Sequence, residues 1–128
     1  MDKKRLPDAE LAVMQAIWNE EGEVGRSTLQ KSLEGHHWSV NTINTYLTRL
    51  CEKGFLSVRH EGRNNLYTPL ISQKAYRQYD SREMLNKLYN GKLSHFVAAL
   101  TAEKPLNPDD IQELQNYLDT MKRKAGDQ

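Results

Sequence analysis

The sequence predicts a mainly α-helical chain that carries one small β-hairpin, and three features of its apolar pattern say so. From Leu11 to Leu50 apolar side chains recur three or four residues apart, the period of helices with one buried stripe. Between Leu56 and Leu70 the period drops to two on either side of Gly62, Arg63 and Asn64, as in two strands joined by a turn. Beyond Ser72 the helical period returns and runs almost to the C-terminus.

The first helix is expected to start after Pro7, with Asp8 as its cap or first-turn acid, and to bury Leu11, Met14, Ile17 and Trp18. It stops in the polar stretch from Asn19 to Gly22. A second helix runs from Gly25 or Arg26 to Leu33, and Gly35, His36 and His37 then turn the chain. Ser39, just after Trp38, caps a third helix reaching about Lys53, with Ile43, Tyr46, Leu47 and Leu50 facing the core. Gly54 ends that helix in a left-handed conformation. In the hairpin, Leu56, Val58 and His60 alternate with Ser57, Arg59 and Glu61, and the second strand covers Asn65 to Leu70. Pro69 places the end of that strand at a sheet edge, where a missing amide is tolerated.

Ser72 caps a helix to about Tyr89, whose apolar members are Tyr76, Tyr79, Leu85 and Leu88. Gly91 interrupts it, and a short helix from Lys92 to Thr101 follows, with Leu93, Phe96, Val97 and Leu100. The last helix has the clearest start: Asn107 as cap, Pro108 in the first helical position, and Asp109 and Asp110 near the positive end of the helix dipole. Its Ile111, Leu114, Leu118 and Met121 follow the spacing of a heptad seam, and residues 126–128 are expected to fray.

With 128 residues, 38% of them hydrophobic, the chain has material for one modest core or a core and a small satellite, which excludes a large multidomain enzyme. Its longest unbroken apolar stretch is the five residues from Phe96 to Leu100, against the ~20 needed to cross a bilayer. The basic start lacks the apolar run of a signal peptide, so a cytoplasmic location without membrane contact is expected. The single cysteine, Cys51, reads as a partly buried thiol in a reducing compartment. His36, His37, His60 and His95 share no metal-ligand spacing with it, so no metal is expected. No nucleophile triad, phosphate loop or working carboxylate pair stands out, so neither catalysis nor a cofactor is expected.

Three helices followed by a hairpin make a winged helix-turn-helix, expected over residues 1–71, with a helical dimerisation region over 72–128. The third helix carries the functional expectation. Asn41, Thr42, Asn44, Thr45 and Thr48 line its outer face with Arg49 at the border, where a solvated surface would favour Glu, Lys, Gln or Arg. Short amides and hydroxyls suit base edges in a major groove: Asn pairs with adenine, and Thr donates a hydrogen bond or meets the thymine methyl. Ser39 belongs to the same DNA-facing set, and Arg26 and Ser27, at the start of the second helix, are placed to meet phosphate. Arg59, His60, Arg63 and Asn64 would form a wing that grips the backbone. Charge argues less clearly, because the net is +1 overall and only +2 over residues 39–70. A winged-helix module that binds protein instead of DNA would show an apolar patch on the third helix or wing.

The segments LPDAELAVMQAIW, WSVNTINTYLTRLCEKGFL, RHEGRNNLYTPL and KLYNGKLSHFVAAL together resemble the BlaI/MecI-type penicillinase repressors, a family that includes copper-responsive members. The resemblance covers residues 6 to 118 and is most specific from Trp38 to Gly54. It implies a transcriptional repressor that binds a palindromic operator, built around TACA and TGTA, as a homodimer. Separately, the seam Ile111, Leu114, Leu118 and Met121, with Leu93, Phe96, Val97 and Leu100 giving more apolar surface than one such helix needs, is expected to form the dimer interface. The resemblance also implies a regulatory protease. Penicillinase repressors are cut in the short helix at an Asn-Phe bond, and the matching position here is Ala99–Leu100. The copper-responsive members end in a cysteine-rich motif, whereas this chain ends in MKRKAGDQ, so copper sensing by that route is not expected. A ligand-responsive regulator not relieved by proteolysis is the alternative, with a cavity near Tyr76, Tyr79 and Phe96.

Overall fold

The computed structural model describes residues 5–126, so Asp127 and Gln128, where fraying was expected, lie outside the described residues. The elements run α1 (Asp8–Asn19), β1 (Val24–Gly25), α2 (Arg26–Ser32), a 3₁₀ turn (Glu34–His36), α3 (Val40–Glu52), β2 (Leu56–Glu61), β3 (Asn64–Pro69), α4 (Gln73–Tyr89), α5 (Leu93–Thr101) and α6 (Pro108–Gly126). This is a winged helix-turn-helix followed by a helical region, the fold class the sequence predicts. The chain divides into two compact units, one ending at Glu83 and the other beginning at Met84.

In the first unit the stripes of α1, α2 and α3 meet over the sheet. Val13, Met14, Ile17, Leu29, Ile43, Leu47 and Leu50 are fully buried, joined by Phe55 and Leu56 at the entry to the wing. The buried face of α1 is turned slightly from the expected one: Val13 and Ala16 are inside, whereas Leu11 and Trp18 are half-buried at the rim. Glu10 shares that inner face, only 3% exposed, and Lys53 Nζ donates to its Oε1 at 2.5 Å. The pair ties α1 to the end of α3.

The first unit extends past residue 71 for a physical reason. Tyr76 is buried in the winged-helix core, its ring 5.7 Å from that of Trp18 and 5.9 Å from that of Phe55. Its hydroxyl accepts from the backbone N–H of Leu6 at 2.8 Å, and Trp18 Nε1 donates to the carbonyl of Ile71 at 2.9 Å. Tyr76 therefore cannot line an interface cavity, which corrects its expected place beside Tyr79 and Phe96. Ser72 caps α4 as expected, its Oγ accepting from Ala75 N at 3.1 Å.

The sheet has three strands in the order β1-β3-β2, all antiparallel. β3 is thus the central strand, and Pro69 is not at an edge. Leu70 N donates to Phe55 O at 2.8 Å, so the neighbouring pair, Leu56 opposite Pro69, is one that exchanges no backbone bonds with β2. On the other side β1 pairs only with Leu66 and Tyr67 and ends before reaching Pro69. The missing amide faces no partner on either side. The hairpin turn is also one residue tighter than expected. Glu61 pairs with Asn64, leaving Gly62 and Arg63 as a two-residue loop, and the φ of +63° at Gly62 is the backbone that such a turn asks of its first residue.

In the second unit, α4 ends with Asn90 at φ 51° and Gly91 at φ 78°, and Gly91 N bonds back to Leu85 O at 3.1 Å. Asn107 caps α6 as expected, its Oδ1 accepting from Asp110 N at 2.8 Å. Among the described residues of α5 and α6 none is buried. Tyr89 and Phe96 meet edge to face at 5.6 Å, yet Leu93, Leu100 and the whole α6 seam stay exposed.

Candidate nucleic-acid interface

The outer face of α3 is built by its cap and its core stripe. Ser39 Oγ accepts from Thr42 N at 3.1 Å and donates to Thr42 Oγ1 at 3.0 Å, which fixes the first turn. Ile43, Leu47 and Leu50 hold the inner side. The helix is thereby rotated so that Asn41, Asn44, Thr45, Thr48 and Arg49 share one shallow open surface with Glu52. Asn41, Thr45, Thr48 and Arg49 are exposed there, and Asn44 is half-buried. Thr45 Oγ1 donates to the Asn41 carbonyl at 2.9 Å, so its hydroxyl proton is used locally and its lone pairs point outward as acceptors. Thr42 and Ser39 are committed to each other in the cap, which leaves them less to offer a base than Asn41, Asn44 and Thr48.

Aromatic rings brace the approach to α3. Trp38 stacks on His36 at 4.2 Å and meets Tyr46 edge to face at 5.1 Å, while His37 takes the left-handed turn at φ 57°. Val40, at the first turn, is 37% exposed, and otherwise the outer face of the helix is polar. An apolar docking patch of the kind a protein-binding module needs is not what α3 presents.

A second depression brings together residues from separate elements. Arg26, Ser27 and Thr28 at the start of α2 face Arg63, Asn64 and Asn65 at the wing tip. Sequence reasoning named four of these six without any means of telling that they share a cleft. The remaining wing residues behave differently. His60 Nδ1 pairs with Asn65 Oδ1 across the two strands of the hairpin. Arg59 is engaged by carboxylates: its Nε donates to Glu23 Oε2 at 2.5 Å and its Nη2 to Glu23 Oε1 at 2.8 Å and Glu61 Oε2 at 2.9 Å. The hydrogen bonds of Arg59 hold Glu23 below the usual carboxylate range, and those carboxylates lift the guanidinium further above its ordinary range.

Cys51 is half-buried, and burial together with the nearby Glu52 raises its thiol above the ordinary range, which makes it a poor nucleophile. Among the described residues no group of three or more His, Cys, Asp or Glu side chains could hold a metal ion. No helix among them is long and apolar enough to cross a membrane.

A penicillinase repressor family model matches residues 6–120, which is nearly the whole chain. The chain belongs to the penicillinase repressor family. It is 35% identical over 124 residues to a penicillinase repressor of Bacillus licheniformis, covering 94% of this chain and 97% of that one. It is 29% identical over 120 residues to the methicillin resistance regulatory protein MecI of Staphylococcus aureus strain N315, covering 92% and 98%. Among solved structures, the DNA-binding domain of the repressor BlaI matches with a TM-score of 0.53 at 38% identity, over 59% of this chain and 92% of that one. The Bacillus licheniformis BlaI monomeric form in complex with the blaP half-operator matches with a TM-score of 0.50 at the same identity and coverage. Like other penicillinase repressors, this chain is a DNA-binding transcriptional repressor and not an enzyme. In its winged helix α3 is the second helix of the helix-turn-helix. Glu52, one turn beyond Thr48, was legible as a member of the α3 face from helical spacing alone, whereas the pairing of Glu23 with Arg59 depends on a two-residue strand that leaves no periodic signal.

Proposed function

We propose that this penicillinase repressor binds a palindromic operator with a TACA/TGTA-like core as a homodimer, one winged helix on each half-site, and blocks transcription by occupying the promoter. The observation that carries the reading is the α3 surface that Asn41, Thr45 and Thr48 share in the open with a half-buried Asn44. These are short groups that hydrogen-bond base edges, and Asn matches the donor and acceptor of adenine. Arg49 borders the surface, and Arg26 with Arg63 adds positive charge in the neighbouring cleft, where backbone phosphates are the fitting partner. That a relative was solved on a half-operator supports one domain per half-site. Support for the dimer comes from α6, whose Ile111, Leu114, Leu118 and Met121 are each 40–50% exposed along one stripe.

Relief by a protease is not included in the proposal. Ala99 and Leu100 are exposed, but they lie within α5 and replace the Asn-Phe pair.

Selection of bound duplexes from a randomised library, followed by affinity against salt on the winner, tests the reading. A palindrome bound far above random duplex is the expected result. Asn44→Ala and Thr45→Ala should then each weaken the selected site by roughly tenfold, as loss of one base contact does, with random-duplex binding and thermal midpoint unchanged. Unchanged operator affinity in both variants would remove α3 residues 44 and 45 from the reading face.

A further inference from the structure

The wing arginine carries a consequence that reaches beyond the DNA-binding reading and rests on it. Across the sheet, Gly25 pairs with Leu66 and Leu66 with Arg59, so these three positions lie on one face. Glu61, two residues after Arg59, and Glu23, two residues before Gly25, fall on that same face by the two-residue period of a strand. The guanidinium therefore meets Glu23 in a fork-to-fork pair and reaches Glu61 with the same Nη2. That fork fits a phosphate as well as it fits a carboxylate. Arg59 is 53% exposed and Glu61 66%, so water can enter and the partners can exchange. The Glu10 carboxylate, only 4% exposed beneath Lys53, has no such freedom.

We propose that Glu23 and Glu61 act as internal stand-ins for DNA phosphate: they occupy Arg59 in the free repressor, and a backbone phosphate of the operator displaces them when the wing docks. The two carboxylates then lower affinity for every duplex alike, because they compete with the backbone and not with a base. They also mute the salt dependence. A phosphate neutralised by Arg59 releases a counterion, but the carboxylates set free take cations up again. This accounts for acidic residues on the wing of a DNA-binding domain whose residues 1–72 carry nine basic and nine acidic side chains. Glu23 and Glu61 are positioning residues in this scheme, acting on DNA only through Arg59.

The test is a cycle on the full-length chain, using the library-selected palindrome and a random-sequence duplex of equal length across a salt series. Glu23→Gln with Glu61→Gln keeps side-chain shape and should raise affinity for both duplexes by roughly tenfold at low salt, with a slope of log K against log salt steeper by about one. Arg59→Gln should lower both affinities, and on that background the Gln pair should lose most of its gain. A gain that persists in full without Arg59 would show a general charge effect and overturn the proposal. Affinity that falls or stays level in the Gln pair, with an unchanged slope, would make the clamp a structural staple and overturn it equally. Wild-type discrimination between the two duplexes, read in the same series, reports on operator binding itself. Its presence without coupling to Arg59 sinks only the clamp, and its absence sinks the parent reading.

Discussion

The two units of this chain solve the problem of apolar surface in opposite ways. Every buried hydrophobic side chain among the described residues, from Leu6 to Tyr76, belongs to the first unit. The second carries comparable apolar residues on α5 and α6 and buries none of them. A helix such as α6, 19 residues long with its seam in water, is marginal alone and gains most of its stability by packing its apolar face on something. The first unit has its core already, consistent with a relative's DNA-binding domain having been solved as a separate chain. The contrast fits the proposed division of labour: the winged helix sets the α3 face on a packed core, and the second unit leaves an apolar stripe that a mate would cover.

The largest effect expected from that contrast is at the seam. Leu114→Asp puts a charge in the middle of the α6 stripe, where a symmetric mate would bury it against its own copy. The dimer should give way to monomer by sedimentation at micromolar concentration. Operator affinity should fall by roughly a hundredfold or more, since two tethered half-site contacts become one. The thermal midpoint of the winged helix should hold. A variant that stays dimeric would show that the stripe packs elsewhere.

The next effect sharpens the other half of the comparison. Lys53→Met leaves the Glu10 carboxylate, with its side chain only 4% exposed, facing the core without its cation. Removing one partner of a buried pair costs several kcal/mol, and the 39% exposure of Lys53 admits enough water to bring the expected loss to about 2 kcal/mol. Glu10→Gln should cost less, because the lysine left behind can turn to solvent. Urea unfolding should show both losses independent of protein concentration, because Glu10 and Lys53 lie in the first unit and not on the α6 seam. Equal losses for the two single variants would mean that the carboxylate is not the costly partner.

What the sequence made legible follows the same division. Helix periods, the Ser39, Ser72 and Asn107 caps and the hairpin were all readable, because each is written within a few neighbouring residues. The face of α3 was readable for the same reason. Features that join distant segments were not. β1 is two residues long, too short for any alternation, and with it went both the central position of β3 and the neighbourhood of Glu23 and Arg59. Glu10 falls on the inner face of α1 with Val13, Met14 and Ile17, but an acid there has no visible partner until the end of α3 is folded against it. Tyr76 reads as an ordinary apolar member of a later helix. Its role in the first core rests on Trp18, Phe55 and the Leu6 amide, none nearer than 21 residues in sequence.

That tyrosine supplies the smallest and most specific prediction. Burial, ahead of its other causes, raises the phenol of Tyr76 above its ordinary range, with Asp80 adding to the rise and the Leu6 N–H opposing it. In the unfolded chain the phenol ionises near pH ~10, while in the native state it stays protonated to higher pH. The native state therefore binds more protons in that window, and stability must fall as pH climbs through the unfolded value until the folded phenol ionises too. Tyr76→Phe cannot titrate, so its stability, lower near neutrality for want of an acceptor for Leu6 N, should decline less steeply than wild type above pH ~10. The measurement is the difference between the two urea midpoints across alkaline pH. Parallel curves would mean that the Tyr76 phenol reaches water in the native state, and that the link between α4 and the winged-helix core is looser than its ring contacts make it.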